Sequence, residues 1–181
     1  MTGTRQGGQA GAGARLDGPQ KSATRPNEPG GPGADHHWLA GAIELSRRCP
    51  PSESAFSVGA ILVAADGAVI ATGFSRERDP HDHAEEVALA RAASAGAARR
   101  LAGATLYSSL EPCAARASRP RPCAELIIAA GLRRVVIAWL EPPVFVEGGG
   151  AALLRAAGVT VIEIPGLAAA ARAVNAHLLP G

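Results

Sequence analysis

The sequence predicts a mixed five-stranded β-sheet covered by α-helices on both faces, a three-layer α/β/α domain. Three observations carry this reading. At 181 residues the chain is long enough to bury one core and too short for several domains. Two β-rich runs meet at Asp66-Gly67, a pairing that favours a tight antiparallel hairpin. The later β-rich runs alternate with helix-length segments, and such crossovers make the strands they join parallel and right-handed.

In chain order, residues 1–34 are rich in Gly and Pro, with Leu16 the only large aliphatic after Met1. They are expected to be a disordered tail, because they offer little burial to offset ordering. The domain proper is expected over residues 35–181. Asp35 is the expected N-cap of a helix from His36 to Arg48, with Leu39, Ala42, Ile43 and Ser46 on one face and Pro50-Pro51 as its stop. Strands follow from Ser57 to Ala65 and Ala68 to Thr72, then a polar loop from Ser75 to Asp82. An alanine-rich helix from His83 to about Ala97 precedes a strand from Ala104 to Ser109. The next helix runs from Pro122 to Gly131, with proline early and glycine late as helix ends prefer. Strands Arg134 to Trp139 and Val159 to Ile164 flank a helix near Ala151 to Ala157, and Leu167 to Leu179 forms the last helix.

Composition narrows the function classes. The longest apolar stretches, such as Val135 to Leu140, fall far short of the roughly 18 to 20 residues needed to cross a bilayer, so no membrane partner is expected. A formal charge of +2 with 3% aromatic residues does not make a polynucleotide-binding face. Lys21 is the sole lysine among 18 basic residues, so arginine counts reflect compositional bias as much as function. Cys49, Cys113 and Cys123 are too few for a disulfide framework, and no apolar leader segment is present. Metal binding or free thiols in a reducing cytoplasm are the expectation.

The chemistry concentrates at strand-to-helix junctions. His83-Ala84-Glu85 opens one helix, while Pro112-Cys113 and Pro122-Cys123 lie before and at the start of another. One imidazole and two thiolates make a three-ligand zinc site that leaves a fourth position for water. Two thiolates balance the charge of Zn²⁺, and helix N-termini help keep them deprotonated. Glu85, two residues beyond the ligand, is set to shuttle protons at that position.

These residues carry a resemblance. His-x-Glu followed by Pro-Cys and a second Cys is similar to the zinc-deaminase signature. More narrowly, His83 to Glu86, Ala104 to Cys113, Arg121 to Gly131 and Arg134 to Ala138 resemble the deaminase domain of the bifunctional riboflavin-pathway deaminase/reductases. The resemblance covers roughly Trp38 to Ile164 and implies a cytidine-deaminase-like fold. It implies zinc held by His83, Cys113 and Cys123, with Glu85 as the catalytic proton carrier. It also implies subunits paired as a dimer.

The chain departs from the subfamily pattern in three places. The Cys113-to-Cys123 gap is one residue longer than usual, and Ala114 to Ser118 replace a His- and Gly-bearing loop. Ala55 and Phe56 stand where Asn-Pro normally precedes the first strand, and Phe56 to Ala60 is similar to the nucleoside deaminases. No reductase domain is expected to follow.

Simpler roles compete with the catalytic ones. Asp82 and Glu85 could form a capping box. His81 and Cys49 are the candidate fourth donors of a closed structural zinc site, with His81 preferred as a loop residue near the mouth and Cys49 as a half-buried thiol. Arg76, Arg78, Arg116, Arg119 and Arg121 could grip a substrate phosphate, or be a solvated surface. Phe56 could stack on a substrate ring or pack in the core. Trp139 and Tyr107 are expected in the core or at a subunit interface.

The expected function is zinc-dependent hydrolytic deamination of an amino-pyrimidine, first the diaminohydroxyphosphoribosylaminopyrimidine of riboflavin synthesis. Second is another nucleotide, nucleoside or base of the cytidine or dCMP type. A non-catalytic zinc-binding scaffold of the same fold is the rival from a different class, and an intact Glu85 counts against it.

Overall fold

The structure, a computed structural model, describes residues 1, 3, 31–142, 144 and 149–179. Most of the expected N-terminal tail lies outside them. At its end the boundary moves, because helix α1 spans Pro32–Ser46 with proline in its first turn and Gly31 as N-cap. Asp35 is therefore not the cap. It lies buried inside the helix, where its carboxylate accepts from Tyr107 Oη at 2.9 Å and from Arg134 Nη2 at 2.6 Å. Burial, followed by the contact with Asp35, pushes the Tyr107 phenol up to about 12.

The strands are β1 Gly59–Val63, β2 Val69–Phe74, β3 Thr105–Ser108, β4 Arg134–Ile137 and β5 Thr160–Glu163. They form one sheet in the order β2-β1-β3-β4-β5. β1 is antiparallel to β2 and β3, while β3, β4 and β5 run parallel. The mixed five-stranded sheet is thus as the sequence predicts. The hairpin turn is longer than two residues: the Ala64 carbonyl accepts from Gly67 N–H, Ala64 N–H donates to Ala68, and Gly67 sits at φ 82° beside a bulge. Asp66-Gly67 thus supplies a left-handed glycine to a bulged turn.

Helix α2 covers Ala84–Ser94, α3 Ala98–Leu101, α4 Cys123–Ala129, α5 Gly150–Ala156 and α6 Ala168–Val174. The helix expected from His83 to about Ala97 ends at Ser94, where Gly96 at φ 68° follows it, and the short α3 beyond was not expected. The expected last helix is broken into a 3-10 turn at Pro165–Leu167, α6, and a second 3-10 turn at Ala176–Leu178. The break falls at Asn175, whose buried amide is drawn away to the Ser57 backbone. Helices α2, α4 and α5 pack on one face and α1 with α6 on the other. Every residue of the neighbouring strands β1 and β3 is buried. Tyr107 and Trp139 both belong to the core.

Two helix starts are pressed against the strand ends and loops that carry the site. A Cβ on Gly73 of β2 would overlap the Ala84 carbonyl oxygen at the start of α2, and one on Gly150 would overlap the carbonyl of Pro112. Only glycine allows either approach.

Candidate active site

β3 ends at Ser108, and the chain leaves the sheet through Ser109 to Cys113. The start of α2 approaches from one side and that of α4 from another, so the site forms beyond the C-terminal ends of the parallel strands. His83 is the residue immediately before α2, in extended conformation, and Cys123 is the first residue of α4 after Pro122. The three donor atoms of His83, Cys113 and Cys123 lie within 4.8 Å of one another. His83 Nδ1 stands 3.6 Å from Cys113 Sγ and 3.5 Å from Cys123 Sγ, and Cys123 N–H donates to Cys113 Sγ at 3.3 Å.

A nitrogen and two sulfurs in this arrangement suit a borderline-soft ion such as zinc. They form the only such cluster among the described residues, and neither His81 nor Cys49 joins it. His81 is exposed beside Asp79 at the cavity mouth, and Cys49 donates its thiol to Val58. The hydrogen bond from Cys123 holds Cys113 down to about 4, and the same bond pushes Cys123 up. Burial would lower the His83 pKa, but its hydrogen bond and charge attraction to Cys113 outweigh this and raise it.

Glu85 is 3% exposed and accepts a 2.6 Å hydrogen bond at Oε1 from Ser108 Oγ. Burial pushes its carboxyl above the usual range, opposed by Ser108. The capping box is absent: His83 occupies the N-cap, and Asp82 turns its Oδ2 back onto the N–H groups of Arg78 and Asp79. A buried acid that holds a proton readily, next to three metal-type donors, can act as a proton carrier.

These groups open into a cavity of about 590 Å³ that Phe56 also lines. Phe56 is 7% exposed and packs edge-on against Trp139 at 5.8 Å, so it is part of both core and cavity wall. Of the five arginines, Arg76 and Arg116 line the cavity. Arg78, Arg119 and Arg121 lie off its lining. Arg78 pairs with Asp82, and Arg119 with Asp79, Asp82 and Glu86. Arg116 pairs with Glu86 at 3.0 Å and donates to the Arg121 carbonyl. Arg76 spends its guanidinium on backbone carbonyls of residues 50–56 and on Ser57 Oγ. Arg121 reaches only the Glu125 carbonyl, at 3.5 Å.

Sequence reasoning missed two acids. Glu111 is buried and accepts from the backbone N–H groups of Glu141, Gly149 and Ala151, binding the β4–α5 connection to the Cys113 loop. Glu141 lines the cavity with Oε2 buried and unpartnered among the described residues. Burial, then the negative charges of Cys113, Glu111 and Glu85, pushes it up to about 8. The Leu-Glu-Pro-Cys run signals Glu111 only weakly, and nothing in the sequence signals Glu141.

The family model described as the cytidine and deoxycytidylate deaminase zinc-binding region matches residues 33–139. A Schizosaccharomyces pombe protein named diaminohydroxyphosphoribosylamino-pyrimidine deaminase is 40% identical over 126 residues, 70% of this chain and 31% of its own length. The chain thus spans about a third of that relative. The crystal structure of a Thermotoga maritima diaminohydroxyphosphoribosylaminopyrimidine deaminase/reductase aligns with TM-score 0.65 and 35% identity, over 78% of this chain and 39% of the other. The Aspergillus oryzae Rib2 deaminase in complex with DARIPP shares the fold at 23% identity and TM-score 0.65, covering 80% and 96%. The matched region runs from the first turn of α1 to Trp139, takes in every residue of the three-donor cluster, and makes the chain a member of the cytidine and deoxycytidylate deaminase family.

Proposed function

We propose that the chain is a zinc-dependent hydrolytic deaminase acting on diaminohydroxyphosphoribosylaminopyrimidine. The observation that carries the reading is the pairing of Glu85 and Ser108 beside the His83, Cys113 and Cys123 donors at the floor of an open cavity. His83, Cys113 and Cys123 would hold Zn²⁺. When bound, the ion supplies a Lewis acid that lets water attack at neutral pH without a strong base.

The chain's own residues manage the protons. Glu85 Oε1 is fixed by the Ser108 hydroxyl, which aims the carboxylate and leaves Oε2 to work. Glu85 accepts one proton from the attacking water and passes it to the ring nitrogen, then takes the second from the hydroxyl of the tetrahedral adduct and delivers it to the amino group, which leaves as ammonia while the carbonyl forms. Its burial supports this role, because a raised pKa makes it a good proton holder. Phe56 offers an aromatic edge to the ring from the cavity wall. The relatives' names support the substrate.

A second reading has its own support: a substrate of the cytidine type, without a phosphate. The arginines expected to hold a phosphate are paired with acids or loop carbonyls, and the run from Phe56 to Ala60 is similar to nucleoside deaminases. The test is ammonia release by zinc-loaded protein from four compounds: the diaminopyrimidine phosphoribosyl compound, its dephosphorylated form, cytidine and dCMP. The first is expected to turn over fastest. Glu85→Gln is expected to fold and keep its zinc while losing about 10⁴-fold or more in rate, the upper end for positioned acid/base catalysis. A wild type with full zinc that releases ammonia from none of the four would leave the scaffold reading standing.

A further inference from the structure

One wall of the cavity is the segment of residues 50–57, which has no regular secondary structure. It contributes Pro51, Ser52, Ser54, Ala55 and Phe56 to the lining. Without a ladder or helix, its carbonyls must find partners elsewhere. Three of them find the same one. Arg76 Nε and Nη2 donate to the Pro50 carbonyl at 3.0 and 2.8 Å, Nη1 donates to Ala55 at 3.3 Å and to Phe56 at 3.0 Å, and Nη2 also reaches Ser57 Oγ at 2.9 Å.

The backbone of the same residue belongs to the other wall. Arg76 N–H donates to the Asp82 carbonyl at 2.9 Å, closing the loop that runs directly into His83. Arg76 is also the one non-glycine residue at positive φ among the described residues, at 60°. A side chain holds this conformation only where its surroundings over-determine it. Here glycine would suit the backbone better, so what the position requires is the guanidinium.

We propose that Arg76 is a positioning residue for substrate binding: it clasps the 50–57 wall to the loop leading into His83 and so sets the width of the cavity. Resting on the deaminase reading, this moves Arg76 from phosphate contact to cavity shape. Asn175 and His177 secure the segment from its outer side, through Ser57 and the Ser52 carbonyl. The segment therefore stays attached when the clasp is lost, and only its set against the metal side loosens. Lysine cannot replace the clasp, because its point charge lacks the planar fork that reaches several carbonyls at once.

The test uses Arg76→Gly in the full-length chain. Glycine keeps the left-handed backbone without strain and removes only the guanidinium. Zinc content and kcat for diaminohydroxyphosphoribosylaminopyrimidine are expected to stay near wild type. KM is expected to rise about tenfold, the scale of one lost hydrogen bond from a charged donor. Millimolar guanidinium ion is expected to restore part of that loss. Amide hydrogen exchange across residues 52–57 is expected to quicken while α2 is unchanged, a readout that needs no turnover and so separates the clasp from the deaminase reading. Unchanged exchange in residues 52–57 overturns the proposal. So does a fall in kcat or zinc with KM unchanged, which would put Arg76 on the metal side. Arg76→Lys is expected to resemble the glycine variant, and full rescue by lysine would also overturn the clasp.

Discussion

At the floor of the cavity, His83, Cys123, Glu85 and Ser108 stand at the ends or first turns of regular elements, and Cys113 follows β3 by five residues. The rim is made of irregular segments: residues 50–57, 75–82, 114–121 and 140–142. The floor is fixed by sheet register and helix starts. The rim is fixed by side chains crossing from one loop to another, such as Arg119 to Asp79 and Glu111 to Glu141. The difference teaches how the two can vary separately. A chemistry that depends on strand ends is hard to displace, whereas a specificity that depends on loop-to-loop contacts can shift with one residue.

Four measurements can break or sharpen this contrast. The largest effect belongs to the floor: Cys113→Ser or Cys123→Ser removes one of three donors, and zinc is expected to fall from about one per chain to a small fraction by elemental analysis. Full occupancy in the double variant would remove the metal reading altogether. Next comes the joint between floor and rim. Glu111→Ala leaves three backbone N–H groups without their acceptor, and at about 1 kcal/mol each the expected loss is about 3 kcal/mol in urea unfolding. A loss below about 0.5 kcal/mol, the scale of an ordinary surface substitution, would mean that the rim stands without this tether.

The third concerns the rim alone. Arg119 lies off the cavity lining, so Arg119→Glu, which sets a carboxylate against Asp79, Asp82 and Glu86, is expected to loosen the loop and raise KM by a similar factor, about tenfold, for a phosphate-bearing substrate and for its dephosphorylated form. Arg121→Glu should do less, since among the described residues Arg121 donates one weak contact to backbone. A rise confined to the phosphate-bearing substrate would place its phosphate at these arginines. The smallest effect is a pH slope. Glu141 titrates at about 8 in the fold against 4.5 ordinarily, so the folded chain binds the extra proton between those values. Its contribution is present below pH 4.5 and is lost as pH rises towards about 8. Relative to Glu141→Gln, chelator-treated wild type should lose about 1 kcal/mol across that window once partial solvent access is discounted. A flat difference would show that the carboxylate is solvated.

The same contrast explains what the sequence disclosed. The five strands, the antiparallel opening pair and the gathering of His83, Cys113 and Cys123 were legible because local spacing sets them: an alternating strand, a glycine turn, then a ligand at a helix start. Asp35 misled because its helix begins three residues earlier and its carboxylate answers to residues far along the chain. Asn175 broke the last helix for a similar reason, a partner 118 residues away. Glu141 was invisible because its position depends on Glu111, thirty residues before it, and no periodicity records such a contact.

The Asp35 network also bears on the order in which the chain can assemble during synthesis. Its partners Tyr107 and Arg134 lie 72 and 99 residues downstream, whereas β1, the strand on which α1 packs, follows soon after the helix. The apolar face of α1 can therefore be covered early in synthesis while the Asp35 carboxylate still lacks its cation. Until Arg134 is made that carboxylate is best left in water, so the helix can reach its final seat only after β4 has been added.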